Sequence, residues 1–412
     1  MNVAAILGSL GGPVLVAIVL FILGLVFQAG LSKSLRGALY AGIGLAALFV
    51  IVNNATATLT PAIQAFAARF DTNLVITDVG WASAGIAFTW PGLAFVIVAT
   101  LAVNAVLVIL KVTKTMWTDI WSLWHGQVVG GFVWFITGNV ILGVVAAVIF
   151  LTIGSFVADF TAKKYQEFNE MPGISVPCCV TFLGLFAGPV DKIFDKIPGF
   201  NKLNASPQNI RKKFGIFGEL GVMGAVIGAI IGLMGGYNLA GILNLGIQVG
   251  VLMVFLSKTV SVLCEGVIPI ANSVTEFVQE KFEGRELYVA VDCAALLGHP
   301  SVMAAAVILY PLTVLLAVLL PGNGMIPIAS LALIPYWVGA VAPYFKGNVV
   351  RMVTFTLLWM VPALLIATNM ATIHTGTMAA LGLADATVMN SSIDMGGDVL
   401  GFILVRLFGL FQ

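Results

Sequence analysis

An all-α protein that crosses the bilayer many times is the fold class this sequence predicts, and three observations carry that prediction. Of 412 residues, 60% are hydrophobic and 9% charged, whereas soluble domains carry roughly 25% charged residues. So few charges cannot cover a water-facing surface, and most of the solvent must be lipid. The 45 glycines exceed the usual share of about 7%, as expected where helices pack closely or break inside a membrane. Finally, the charges are gathered into short stretches between apolar runs. A net charge of +1 gives no sign of a nucleic-acid partner.

The apolar runs lie near 6–27, 37–52, 84–110, 128–157, 174–190, 215–234, 239–270, 302–320, 325–343, 352–369 and 396–411. About 20 residues are needed to cross hydrocarbon, so these make roughly ten to twelve membrane segments, several of them broken or re-entrant. The first, "ILGSLGGPVLVAIVLFILGLVF", has neither a basic leader nor a small-residue cleavage site and reads as a retained span. Between the runs lie "SKSLR", "KVTKTMWTD", "TAKKYQEFNE" and "QEKFEGRE". The richest charged stretch is 191–213, with six Lys/Arg against two Asp. Positive charge of that density marks it as cytoplasmic. No stretch is long and polar enough for a soluble catalytic domain, so residues 1–412 read as one integral membrane domain.

Two halves share a pattern. From about residue 8 the chain reads as a Gly-rich span, a second span, "NNATATLTPAIQAFAARF", then "TDVGWASAG" and a long apolar run. From about residue 215 it reads "FGELGVMGAVIGAIIGLMGG", a second span, "CEGVIPIANSVTEFVQEKF", then "VDCAALLGHPS" and another long run. In each half a Pro-containing turn leads into an amphipathic segment, and an acid (Asp78, Asp292) opens a polar stretch. This divides the chain into a first repeat at 1–157, a connecting segment with the basic loop at 158–214, a second repeat at 215–369, and a C-terminal loop and span at 370–412. Units with an odd number of spans insert in opposite senses, and inverted repeats with discontinuous helices place a binding site near the midplane.

An ionisable group at membrane depth costs about 2.5–3.5 kcal/mol on insertion scales, so each one needs a reason. Asp292 and His299 stand seven residues apart, on one face if the helix is continuous. They read either as a cap and an interfacial histidine or as a hydroxyl-binding pair, since a carboxylate accepts two hydroxyls and an imidazole can donate and accept. Asp78, Trp81 and Ser83 read as a capped turn with an interfacial anchor, or as hydroxyl partners with a flat apolar wall. His125 and Gln127 sit just inside a belt formed by Trp117, Trp121 and Trp124, which accounts for the tryptophans but not for "HGQ". Glu219 and Glu265 read as a helix start or pairing group against a site role. His374 reads as part of a late loop, and Asp394 and Asp398 as surface residues before the last span. The cysteines, Cys178, Cys179, Cys264 and Cys293, have no zinc-type spacing and read as thiols. Three scattered histidines offer no paired ligand spacing, so neither a metal nor a cofactor is expected.

At these residues the chain resembles the galactitol-type membrane component, enzyme IIC, of the bacterial phosphoenolpyruvate-dependent sugar phosphotransferase system. The similar stretches are "TDVGWASAGIAFTW", "DIWSLWHG", "KIPGFNK" to "RKKFGIFGE", "VDCAALLGHPS" and "LLPGNGMIP", in order along nearly the whole chain. A more distant similarity around Asp292 links it to ascorbate-type enzymes IIC. The resemblance implies a multi-pass protein of the bacterial cell membrane, a homodimer whose mobile core moves against a scaffold in an elevator fashion. It further implies a sugar alcohol that is carried inward and phosphorylated by a separate IIB protein bearing a phosphocysteine. Carried over by motif, the substrate groups are Asp78, Trp81, Ser83, His125, Glu219, Asp292 and His299. Cys178 stands where the family pattern has a histidine, which leaves the polyol open between a hexitol such as galactitol and a pentitol. The chain has no Walker loop and no kinase set, so the phosphoryl group must come from elsewhere.

The basic stretch, with Lys192, Lys196, Lys202, Arg211, Lys212 and Lys213, reads as a topology signal, as a docking face for IIB, or as a contact for anionic lipid. A different class of function, an ion-coupled secondary transporter of a small polar solute, shares the same architecture. A channel fits less well, because channels need rings of pore-lining groups.

Overall fold

The computed structural model describes residues 11–69, 74–117, 119, 122–200, 203, 216, 219–281 and 286–411, apart from some side chains within the helices. The first helices are α1 (Gly11–Val26) and α2 (Leu31–Arg69), followed by the short strand β1 (Thr77–Asp78). A 3-10 turn (Gly80–Ser83) leads into α3 (Ala84–Thr89) and α4 (Leu93–Ile109). Strand β2 (Thr115–Met116), α5 (Leu123–Thr137) and α6 (Val140–Asn169) follow. Strand β3 (Ile174–Ser175), a 3-10 turn (Cys179–Phe182) and α7 (Leu183–Phe194) close the first half.

The second half begins with the same order of elements, two helices, a strand and a 3-10 turn, and then differs. It opens with α8 (Leu220–Met234) and α9 (Leu239–Lys281), then strand β4 (Tyr288–Ala290), a 3-10 turn (Cys293–Leu297) and α10 (Pro300–Leu319). A further 3-10 turn (Ala329–Leu333) leads into α11 (Ile334–Val341), and α12 (Val349–Ala380), β5 (Asn390–Ser391) and α13 (Val399–Phe408) complete it. Among the described residues, α6, α10 and α12 are each long and apolar enough to cross a bilayer, and several shorter apolar helices, such as Leu93–Ile109, accompany them.

The proline turns expected in the amphipathic segments are absent. Pro61 lies inside α2 and Pro269 inside α9, both continuous helices. An interior proline costs about 3 kcal/mol in a helix that stands alone. Here the two long helices pack along each other, and that contact outweighs the local preference. Small residues let them approach: a side chain at Gly266 would overlap the backbone of Ala41 and Gly37, the device by which membrane helices gain packing without a hydrophobic driving force. Helix α1 packs on α2, and α8 on α9, so these four form one group, while the interrupted helices form another.

Helix ends in the second group are set by local chemistry. Asn139 accepts from the backbone N–H groups of Ile141 and Leu142 to start α6, and Asn348 does the same for Val350 and Arg351 at α12. The strand pairs cross between the halves. Strand β1 pairs in parallel with β5, and Ile76 just before it bridges to Met325, so this first-half stretch lies among second-half segments. Strand β4 in turn lies between β2 and β3 of the first half, also in parallel. Short extended pieces at the chain breaks thus satisfy one another's backbone groups, which irregular backbone away from water requires.

Candidate functional site where three strands end

The strand trio β2–β4–β3 carries the site. Thr115 pairs with Tyr288, and Ile174 and Ser175 pair with Val289 and Ala290. Asp159 on α6 fixes the outer strand, accepting from the hydroxyls of Thr113 at 2.6 Å and Thr115 at 2.8 Å. Carried past the strand ends, this register sets Asp292 beside Asp119 and Cys293 beside Cys178. The Sγ atoms of Cys178 and Cys293 are indeed 3.3 Å apart. Three chain segments therefore deliver acids and thiols to one buried place.

His125 joins them from the first turn of α5. Its ring is 4% exposed and lies against Trp124, with ring centres 4.1 Å apart. Nδ1 is 3.0 Å from the carbonyl oxygen of Ser122. A carbonyl only accepts, so Nδ1 carries a proton and donates it. Ser122 is itself held by Asp119, which accepts from its hydroxyl and its backbone N–H. Nε2 therefore points into the cluster, 3.9 Å from Cys178 Sγ.

Asp292 is half-buried and begins the 3-10 turn, where Oδ1 accepts from the Ala294 backbone N–H at 2.8 Å. Among the described residues, Oδ2 has only the Cys293 thiol, at 3.9 Å. One oxygen is anchored and the other faces the cluster. Asp292 and His299 do not share a continuous helix, because the 3-10 turn and Gly298 separate them. His299 instead caps α10: its Nδ1 accepts from the Ser301 backbone N–H at 3.3 Å and lies 2.7 Å from the Ser301 hydroxyl. Its ring packs at 4.4 Å on Phe168.

The strand pair β1–β5 organises a second buried network. Asp78 accepts from the Ser330 N–H at 2.7 Å, the Ser330 hydroxyl at 2.5 Å and the Gly80 N–H at 3.0 Å. With three donors on it, Asp78 ties the first break of one half to a break of the other. Gly80 is required there: its φ is +50°, and an added Cβ would meet the Ala329 backbone at 3.0 Å. Ser83 lies 2.8 Å from His374 Nε2 and 3.1 Å from the Ser392 hydroxyl, while His374 Nδ1 contacts Asn390 Oδ1 at 2.7 Å. His374 is therefore not in a loop; it is fully buried inside α12. Trp81 packs edge-on against Tyr336 at 5.4 Å.

Two other expected site residues stand elsewhere. Gln127 uses its amide at both ends, accepting from Trp90 Nε1 at 2.7 Å and donating to the Leu93 carbonyl at 2.9 Å. Glu219 is exposed immediately before α8, and Glu265 is exposed on α9. Asp394 and Asp398 are not surface residues. Asp394 is 3% exposed and sits 3.7 Å from the Cys179 thiol, joining the two strand sets. Asp398 caps α13 by accepting from the Gly401 N–H. Both border a cavity of about 210 Å³ whose other walls include Ile153, Phe186, Trp337 and Trp359. Cys178, Cys179 and Cys293 are free thiols, as expected; the Cys264 side chain lies outside the described residues. So do Trp121, Lys202, Arg211, Lys212 and Lys213.

Asp119, Cys179, Cys293, Ser330 and Asn390 were not singled out as site residues in the sequence. For Asp119 a signal existed: an acid three residues before Ser122, itself three before His125, is the spacing of a turn that anchors an imidazole.

Comparisons with known proteins cover nearly the whole chain. Residues 5–390 match the family described as PTS system sugar-specific permease component. The galactitol-specific EIIC component of the PTS system of Escherichia coli K12 is 32% identical over 403 residues, covering 97% of this chain and 89% of that protein. The galactitol-specific component of Escherichia coli O157:H7 gives the same figures. A putative permease IIC component of Escherichia coli K12 is 32% identical over 410 residues, 98% of this chain and 93% of its own length. A family match of that extent and relatives at that identity over nearly full length settle the assignment: this chain belongs to the PTS system sugar-specific permease components.

Proposed function

We propose that this chain is a multi-pass sugar-alcohol permease of the bacterial cell membrane. It binds galactitol or a related polyol among His125, Asp292 and the thiols, and hands it to a separate IIB protein for phosphorylation. One observation carries the reading. His125 and Asp292 each have one polar atom anchored by the backbone while the other, Nε2 or Oδ2, faces the same buried cluster. An acceptor carboxylate and an imidazole nitrogen held in this way suit a ligand rich in hydroxyl groups. Asp78, Ser83 and Trp81, with three donors already on Asp78, would hold the chamber's shape and admit hydroxyls at its edge. His299, Gln127 and Glu219 are proposed to act through helix ends and packing.

The crossed strand pairs support two units of opposite sense, each holding one strand of its own between two segments of the other. Positions 157 and 369, proposed as the ends of the two repeats, fall within α6 and α12. The group α1, α2, α8 and α9 suits a scaffold that also makes a homodimer, and the interrupted helices suit a core that moves against it as an elevator. The basic stretch at 191–213 would face the cytoplasm and meet IIB or anionic headgroups.

Calorimetry with a panel of hexitols and pentitols on the purified protein tests the binding, and the state of the internalised product tests the coupling. Phosphorylated product that requires IIB supports the reading. Unmodified product whose uptake follows an ion gradient would replace it with a secondary transporter. Reversing Arg211, Lys212 and Lys213 to Glu should slow phosphorylation while leaving polyol affinity intact; unchanged kinetics would remove the docking role.

A further inference from the structure

The chamber holds an unusual donor set for a polyol site. Nε2 of His125 and the Sγ atoms of Cys178 and Cys179 all lie within 4.8 Å of one another, and all three residues are buried. Cys293 Sγ is 3.3 Å from Cys178, and Asp394 Oδ1 is 3.7 Å from Cys179. Thiols hydrogen-bond hydroxyls weakly, whereas thiolate and imidazole together suit soft and borderline cations. We propose that His125, Cys178 and Cys179 form a binding site for a thiophilic d10 cation, of which Zn2+ is the representative, with Cys293 standing beside Cys178.

The donors are close enough together for such an ion to draw them in. With Zn–S near 2.3 Å and Zn–N near 2.0–2.1 Å, a tetrahedral site has donor-to-donor edges of about 3.5–3.8 Å. The observed separations are 3.3 Å between Cys178 and Cys293 and 3.9 Å between Cys178 and His125. The Cys178–His125 edge is already near that length, and His125, Cys178 and Cys179, all within 4.8 Å of one another, need to draw together by at most about 1 Å. The outer partners also match. His125 donates Nδ1–H to the Ser122 carbonyl, and Ser122 is held by Asp119, the arrangement that fixes a metal-ligating imidazole with its other nitrogen free. Asp394 can accept from or replace the Cys179 donor. The bland alternative is that buried cysteines act as small apolar fillers. Filler requires neither an oriented imidazole among the thiols nor the meeting of three such donors from two separate chain segments. Ligation displaces the thiol protons to solvent as metal–sulfur bonds form.

The inference stands on the donor set and does not need the polyol reading. The test uses the full-length protein purified in detergent and titrated with Cd2+, whose thiolate complexes show sulfur-to-metal charge-transfer absorption. The expected result is saturation at one equivalent, with absorption lost in Cys178→Ser and in Cys179→Ser and unchanged in Cys264→Ser. His125→Ala should weaken binding by more than about tenfold, since even outer-partner changes at metal sites cost 10–100-fold. No absorption in the unaltered protein, or absorption that persists in Cys178→Ser, overturns the proposal. Should a serine variant fail to fold, melting of the unaltered protein decides: one equivalent of Zn2+ should raise its melting temperature and a chelator should reverse the shift, and no shift would refute the site. Because both ideas use His125 Nε2, galactitol calorimetry is run on metal-free protein, where it reports on the proposed function alone.

Discussion

Replacing Asp292 with Asn separates a ligand-binding carboxylate from a turn cap, because the two oxygens have different duties. Oδ1 accepts from the Ala294 N–H at 2.8 Å, and the amide oxygen of Asn can keep that bond. Oδ2 faces the thiol cluster, and its replacement by NH2 turns an acceptor into a donor. The fold should therefore survive while a polyol hydroxyl loses its charged partner. A hydrogen bond to a charged group contributes about 1.5–3 kcal/mol, and each 1.4 kcal/mol is tenfold in affinity. Galactitol, or whichever polyol binds, should then bind roughly 10–150-fold more weakly to Asp292→Asn. Calorimetry on detergent-purified protein gives the affinity, and a melting curve checks that the variant is folded. Binding within about threefold of the unaltered protein (0.6 kcal/mol, well below the loss of one such bond) would refute the argument and leave Asp292 as a cap alone.

Three further outcomes are expected. Gly80→Ala should lower stability by about 1–3 kcal/mol in a detergent melt, since φ +50° and the Ala329 backbone both oppose a side chain there. Arg351 bridges α12 to Asp191 and Asp195 on and just after α7; Arg351→Met should cost about 1–3 kcal/mol by stranding Asp191, whereas Asp195→Asn, at the exposed arm, should cost under about 1 kcal/mol. Glu286 pairs with Lys114 at 2.5 Å, and Lys114 and then Tyr288 hold its carboxyl below the usual range. Any stability from that pair is present above the ordinary carboxylate pKa and fades as pH falls through the lowered value, so melts of Glu286→Gln and the unaltered protein should converge on acidification.

Much of the site was legible because its residues are rare in their surroundings. Asp78, Asp292 and His125 are polar groups in a chain with 9% charge, and each stands at or beside a break where the structure places a strand end or helix start. The proline turns, the loop placement of His374 and the surface placement of Asp394 were misread for one physical reason. Local preference and hydropathy report on the chain beside a residue, and packing between segments distant in sequence overrides them. Pro61 and Pro269 stay helical because α2 and α9 lie together, and Asp394 is buried because β5 pairs with β1.

Composition and apolar runs by themselves determined a helical, lipid-facing class, because too few charges exist to face water. They also fixed where the chain must break, since polar residues in an apolar run need irregular backbone to serve them. Only the tertiary structure decided which breaks meet. The parallel register of β2, β4 and β3 brings Cys178, Cys293, Asp119 and Asp292 together, and that pairing depends on contacts spanning more than a hundred residues, which no local spacing encodes.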